Sequence, residues 1–124
     1  MSALAAADWA LWNARVLGVF GPVLILTGIA GFLVPARYAL MSGAPAYNVF
    51  HIAFGLLGSA LVLAHDATGI AVFNLGFGLG DLYQAVAGVL GVFPARVFRY
   101  KPADHVVHVV LGLALAAVGW LGLR

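Results

Sequence analysis

Hydrophobic residues in this chain do not alternate with polar ones. They gather into four long runs, separated by short segments that hold most of the charge. The runs extend from about Trp9 to Val34, Ala46 to His65, Gly69 to Phe93 and Ala103 to Leu123. A helix needs ~20 residues to cross the apolar core of a bilayer, so each run predicts one transmembrane span. Pro22 falls inside the first run and predicts a kink, which lipid-embedded helices tolerate when neighbours satisfy the freed carbonyl. The connections are short, which makes sequence neighbours antiparallel neighbours. The tightest is His65-Asp66-Ala67-Thr68-Gly69, where His65 and Asp66 read as a hairpin cap. The expected fold class is all-α, a four-helix transmembrane bundle forming one integral membrane domain over residues 1–124.

The second and fourth runs open alike. Pro45-Ala46-Tyr47-Asn48-Val49-Phe50-His51-Ile52-Ala53-Phe54-Gly55 returns 57 positions later as Pro102-Ala103-Asp104-His105-Val106-Val107-His108-Val109-Val110-Leu111-Gly112. Upstream, Gly28, Gly31 and Pro35-Ala36-Arg37 are echoed by Gly88, Gly91 and Pro94-Ala95-Arg96, at an offset of 59 to 60. Ordered matches at near-constant spacing predict an internal duplication. Its units are a hairpin over about 9–65 and a second over about 69–123. A repeat of two spans keeps its direction in the membrane, so the hairpins are expected to be related by a pseudo-two-fold axis along the membrane normal.

Each later span carries a small or polar stripe at helical spacing: Asn48, His51, Gly55, Ser59; then Asn74, Gly78, Asp81, Gln84, Gly88; then His105, His108, Gly112, Ala116. Small residues let membrane helices approach closely. Gly55-x-x-x-Ser59, Gly76-x-x-x-Gly80 and Gly112-x-x-x-Ala116 are therefore expected helix-packing seams.

Composition narrows the class. Of 124 residues, 65% are hydrophobic and 8% charged, against roughly 25% charged in soluble domains. The absence of cysteine removes disulfides and thiolate metal sites. A net charge of +2 does not suggest nucleic acid. The leader Met1–Asp8 has no basic residue, so the first run reads as a retained helix and not a signal peptide. Arg37, Arg96, Arg99 and Lys101 fall in the two loops that share one side. The positive-inside rule then places loops 35–45 and 94–102 in the cytoplasm and both termini outside.

The pattern Asn48-x-x-His51-x-x-x-Gly55-x-x-Gly58, then Phe73-Asn74-x-Gly76-Phe77-Gly78, then Asp104-x-x-x-His108-x-x-x-Gly112 resembles a bacterial family of small four-span membrane proteins catalogued as a domain of unknown function. The resemblance covers most of the chain from about Gly18. It implies the four-span fold and the bacterial inner membrane, and it carries over no activity and no catalytic residue.

Polar residues inside apolar spans are costly and need partners. Asp81 lies nearest the middle of the bilayer, with Gln84, Asn74 and Arg15 as candidate intramembrane partners. Asn48, His51, His105 and His108 form the other candidate set, a cofactor-binding cluster in which His105, His108 and His51 are candidate metal ligands. Histidines facing each other across a bundle can ligate haem iron, zinc or copper. The same set could contact a quinone or lipid headgroup, or serve only as a polar packing cluster.

No glycine-rich phosphate loop, serine nucleophile elbow or metalloprotease motif is present. The leading expectation is a non-enzymatic structural or accessory protein that self-associates or joins a larger membrane complex. One alternative is a haem- or metal-binding electron-transfer module using His51 and His108. Another is a small transporter or proton-conducting protein using Asp81.

Overall fold

The computed structural model describes residues 3–124, with side chains from Asp8 onward. Met1 and Ser2 of the leader lie outside the described residues. Five helices follow in order: α1 (Ala3–Leu33), α2 (Pro45–Leu63), α3 (Ala67–Leu90), α4 (Ala95–Phe98) and α5 (Pro102–Leu123), with a 3-10 turn at Ala36–Tyr38. Four of them, all but α4, are long and apolar enough to cross a membrane. The chain is a multi-pass helical bundle. The short α4 and the 3-10 turn were not anticipated from hydropathy, because both lie in loops whose composition carries no periodic signal.

Helix ends follow from local chemistry. Pro45 and Pro102 open α2 and α5, where a missing N–H costs nothing and the ring already has helical φ. Asp66 caps α3, its carboxylate accepting the Gly69 N–H at 2.9 Å. This is the cap expected at that turn; His65 beside it takes a left-handed φ of 55° as the chain reverses. Gly91 closes α3 at a φ of 70°, a conformation glycine adopts without a Cβ penalty. α1 continues through Pro22 as one 31-residue helix, about 46 Å long at 1.5 Å per residue.

Packing is strongest within two pairs, α1 with α2 and α3 with α5, and looser between them. Each pair meets at glycines. A Cβ on Gly55 would lie 2.7 Å from the Gly21 carbonyl oxygen, and one on Gly112 would lie 2.9 Å from that of Gly78. Gly21 faces Ser59 and Gly55, while Gly78 faces Ala116 and Gly112. Two of the three expected seams are therefore packed. The third is not: a Cβ on Gly76 or Gly80 would meet nothing within 4 Å, because that stripe borders an open groove. Between the pairs lies an apolar core of Leu17, Phe20, Leu24, Ile70, Phe73, Phe77 and Leu115.

Replacing Gly55 or Gly112 by alanine is expected to force the backbones apart, at a cost of about 1–3 kcal/mol as for other overpacked cores. Thermal unfolding in detergent should show a lowered midpoint for both variants and an unchanged one for Gly76→Ala.

Candidate functional site

The loop end of the bundle is held by a buried carboxylate. Asp104, with 0% of its surface exposed, stands at the third position of α5. Its Oδ2 accepts the backbone N–H of Lys101 at 2.7 Å and that of Ser42 at 2.8 Å. The Ser42 hydroxyl donates to the Phe98 carbonyl. Lys101 reaches back with Nζ to the carbonyls of Ala36 at 2.8 Å and Ala39 at 2.7 Å. Both long loops are thus stitched to one another and to the start of α5. Lys101, one of the basic residues read from the sequence as setting topology, is also a structural clamp.

Beneath this frame Tyr47 is fully buried. Its ring lies 4.9 Å from Phe98 and 4.1 Å from His51, centroid to centroid. Its hydroxyl lies 2.6 Å from Nε2 of His108, so the phenol spans the bundle from α2 to α5. Tyr47, His51 and His108 line a cavity of about 160 Å³ together with Thr27, Met41 and Asp81, closed by Phe20, Leu24, Phe77 and Leu111. Asp81 is 3% exposed, and its Oδ1 accepts from Nε2 of Gln84 at 3.2 Å. Oε1 of Gln84 in turn accepts from the Tyr100 hydroxyl at 2.8 Å. Burial, and then the nearby Asp104 carboxylate, hold the Tyr100 phenol above its ordinary pKa, so it stays a neutral donor. A polar line therefore runs from the loop, through Tyr100 and Gln84, to Asp81 at the cavity wall.

Toward the termini the line stops. The apolar core lies there, and beyond it a second polar layer. Asn74 donates from Nδ2 to Oδ1 of Asn13 at 3.0 Å and to the Asn13 carbonyl at 3.3 Å. Asn13 donates to the carbonyls of Val118 at 2.7 Å and Trp9 at 2.9 Å. This layer ties α1, α3 and α5 together.

The candidate residues thus divide. His51, His108, Asp81 and Gln84 come together. Asn48 does not: its Nδ2 donates to the Gly43 carbonyl at 2.9 Å and its side chain packs on Gly31. His105 packs on Gly88, with its ring 5.9 Å from that of Tyr100. Three helical residues advance 300°, so His105 diverges from His108 by about 60° and turns toward α3. Among the described residues no three or more His, Cys, Asp or Glu side chains form a group that could hold a metal ion. The trio His105, His108 and His51 does not form such a group.

A haem fits poorly too. Nε2 of His108 is engaged by Tyr47, and about 160 Å³ is below the ~300 Å³ at which typical ligand pockets begin. Asn74 belongs to the other layer. Arg15 is exposed, its guanidinium 5.4 Å from the centre of the Trp12 ring, and it is not the partner of Asp81.

Sequence reasoning missed Tyr47, Asn13 and Asp104 as site-forming residues. Tyr47 had a usable signal, since it lies four residues before His51 and so on the same helical face. Asn13 is the one asparagine of the first run, a polar group that needs a partner in lipid. Comparison with protein-family models, curated proteins and solved structures found no match.

Proposed function

We propose that this chain is a small non-enzymatic protein of the bacterial inner membrane that exchanges a proton at Asp81 between its internal cavity and the loop side of the membrane. One observation carries the reading: Asp81 faces the cavity shared with His51, His108 and Tyr47, while Gln84 and Tyr100 link it outward to the loops. Intramembrane ionisable groups that face a bundle interior mark proton and ligand pathways. The apolar core on the terminal side makes the exchange one-sided, so this reading departs from a simple proton conductor. The excess of Arg37, Arg96, Arg99 and Lys101 supports a cytoplasmic loop side. Infrared difference spectra recorded across a pH titration test this. The unmodified protein should give a titrating carboxyl C=O band that Asp81→Asn abolishes. Absence of the band, or its persistence in the variant, would sink the reading.

The same proposal treats the two hairpins as a tandem repeat. Supporting it, the contacts recur at constant spacing: Gly21 on Gly55 and Ser59 against Gly78 on Gly112 and Ala116, and Gly31 on Asn48 against Gly88 on His105. Every residue of the second set lies 57 positions after its counterpart. Gly31, and not Gly28, is then the equivalent of Gly88, while Pro35-Ala36-Arg37 and Pro94-Ala95-Arg96 keep their offset of 59. The Asn48, His51, Gly55 and Asp104, His108, Gly112 motifs keep the small four-span family as the proposed relationship.

A second reading, self-association, is favoured by the outward Gly76-x-x-x-Gly80 stripe. With Phe50, Phe54, Val72 and Phe73 it lines an apolar groove of about 310 Å³. Such spacings let a second helix approach closely, and losing about 1.4 kcal/mol of that contact is roughly ten-fold in dissociation constant. Energy transfer between labelled copies in vesicles should report dimers, weakened about that much by Gly80→Leu. A monomer at every density would dismiss it.

A further inference from the structure

Along α1 and α5 the bundle carries an apolar groove of about 530 Å³, lined by Trp12, Val16, Val19, Ala114 and Leu115, with Arg15 at the terminal end. Three residues, Phe20, Val23 and Leu111, line both this groove and the central cavity, so the two spaces adjoin across these side chains. The cavity alone is too small for an ordinary ligand, but it would take a compact headgroup whose tail left through the groove. From Trp12 to Val23 the groove follows α1 for eleven residues, about 16 Å.

The cavity walls restrict the headgroup. Nδ1 of His51 is buried without a hydrogen-bond partner, in a side chain only 6% exposed. Nδ1 of His108 is likewise without a partner, while its Nε2 meets the Tyr47 hydroxyl. With that hydroxyl donating, His108 carries its proton on Nδ1. His108 then offers an N–H at Nδ1, and His51 on the facing helix offers one in either tautomer; both residues line the cavity. No lysine or arginine lines the cavity, and Asp81 does, so an anionic lipid headgroup would meet no counter-charge. Phe20 and Phe77, edge to face at 5.4 Å, add flat apolar wall.

We propose that the cavity and groove together bind a membrane quinone: its neutral ring, with a carbonyl acceptor at each end, lies between His51 and His108, and its apolar tail lies along α1 and α5. The proposal concerns binding only and rests on the cavity being the functional centre.

The test is equilibrium binding of a decyl-substituted benzoquinone to the full chain in nanodiscs, read by quenching of tryptophan fluorescence. Trp12 borders the groove, and the chain has no cysteine for a quinone to alkylate. Saturable binding is expected. His51→Phe should weaken it at least ten-fold, and Ala114→Phe, which fills the groove from its lipid-facing wall, should weaken it similarly without affecting the tail-less parent quinone. Circular dichroism checks that the variants fold, and Ala114→Phe keeps the test decisive should His51→Phe not fold. Failure to saturate, unchanged affinity in Ala114→Phe, or equal displacement by decanol would overturn the proposal. Lost quinone binding with the Asp81 infrared band intact refutes the ligand alone. Binding without that band refutes proton exchange alone.

Discussion

Lipid tails are as apolar as the helices they surround, so burial of hydrophobic surface does little to hold membrane helices together. Within each helical pair the glycine seams supply close packing. Between the pairs the connections are polar. The Tyr47 hydroxyl meets Nε2 of His108 at 2.6 Å, and Asn74 meets Asn13 at 3.0 Å. Asp104 and Lys101 tie the loops across the same divide. These ties carry both architecture and site. The Tyr47–His108 contact joins two halves of the bundle and also forms one wall of the cavity.

Polar groups are confined to two layers separated by apolar side chains. The terminal layer, Asn13 and Asn74, is nearly self-contained: each amide nitrogen is satisfied by a neighbour, and Oδ1 of Asn74 alone of its side-chain atoms lacks a partner. The loop layer differs. Imidazole nitrogens of His51 and His108 lack partners there, and a cavity adjoins them. Unsatisfied buried groups in a nonpolar surrounding are costly. A cavity and an acid beside these imidazoles distinguish a site from a packing seam.

Much of the fold was legible in the sequence. The hydrophobic runs located all four long helices to within a few residues, and Pro45, Pro102, Asp66 and Gly91 mark ends by their backbone chemistry. The seams at Gly55 and Gly112 were legible too. Periodicity gives the face on which a residue lies, but not the neighbour that covers it. For that reason Gly76 and Gly80 look like Gly55 and Gly112 in sequence yet face outward. Asn48 and His105 share a stripe with His51 and His108, but their small offset around the helix sends them onto glycines. Spacing puts Tyr47 on the face of His51, but it could not reveal the contact of its long side chain with a residue 61 positions away.

The central claim is that the cavity at Asp81 communicates with the loop side, along Gln84 and Tyr100, and is closed toward the termini. Cysteine accessibility tests it on a chain with no native cysteine. Thr27 lines the cavity, and Leu17 lies in the apolar core beyond it. In oriented vesicles, Thr27→Cys should react with a small water-soluble thiol reagent added to the loop side and not to the terminal side, while Leu17→Cys resists both. Modification of Thr27→Cys from the terminal side, or from neither, would contradict the account.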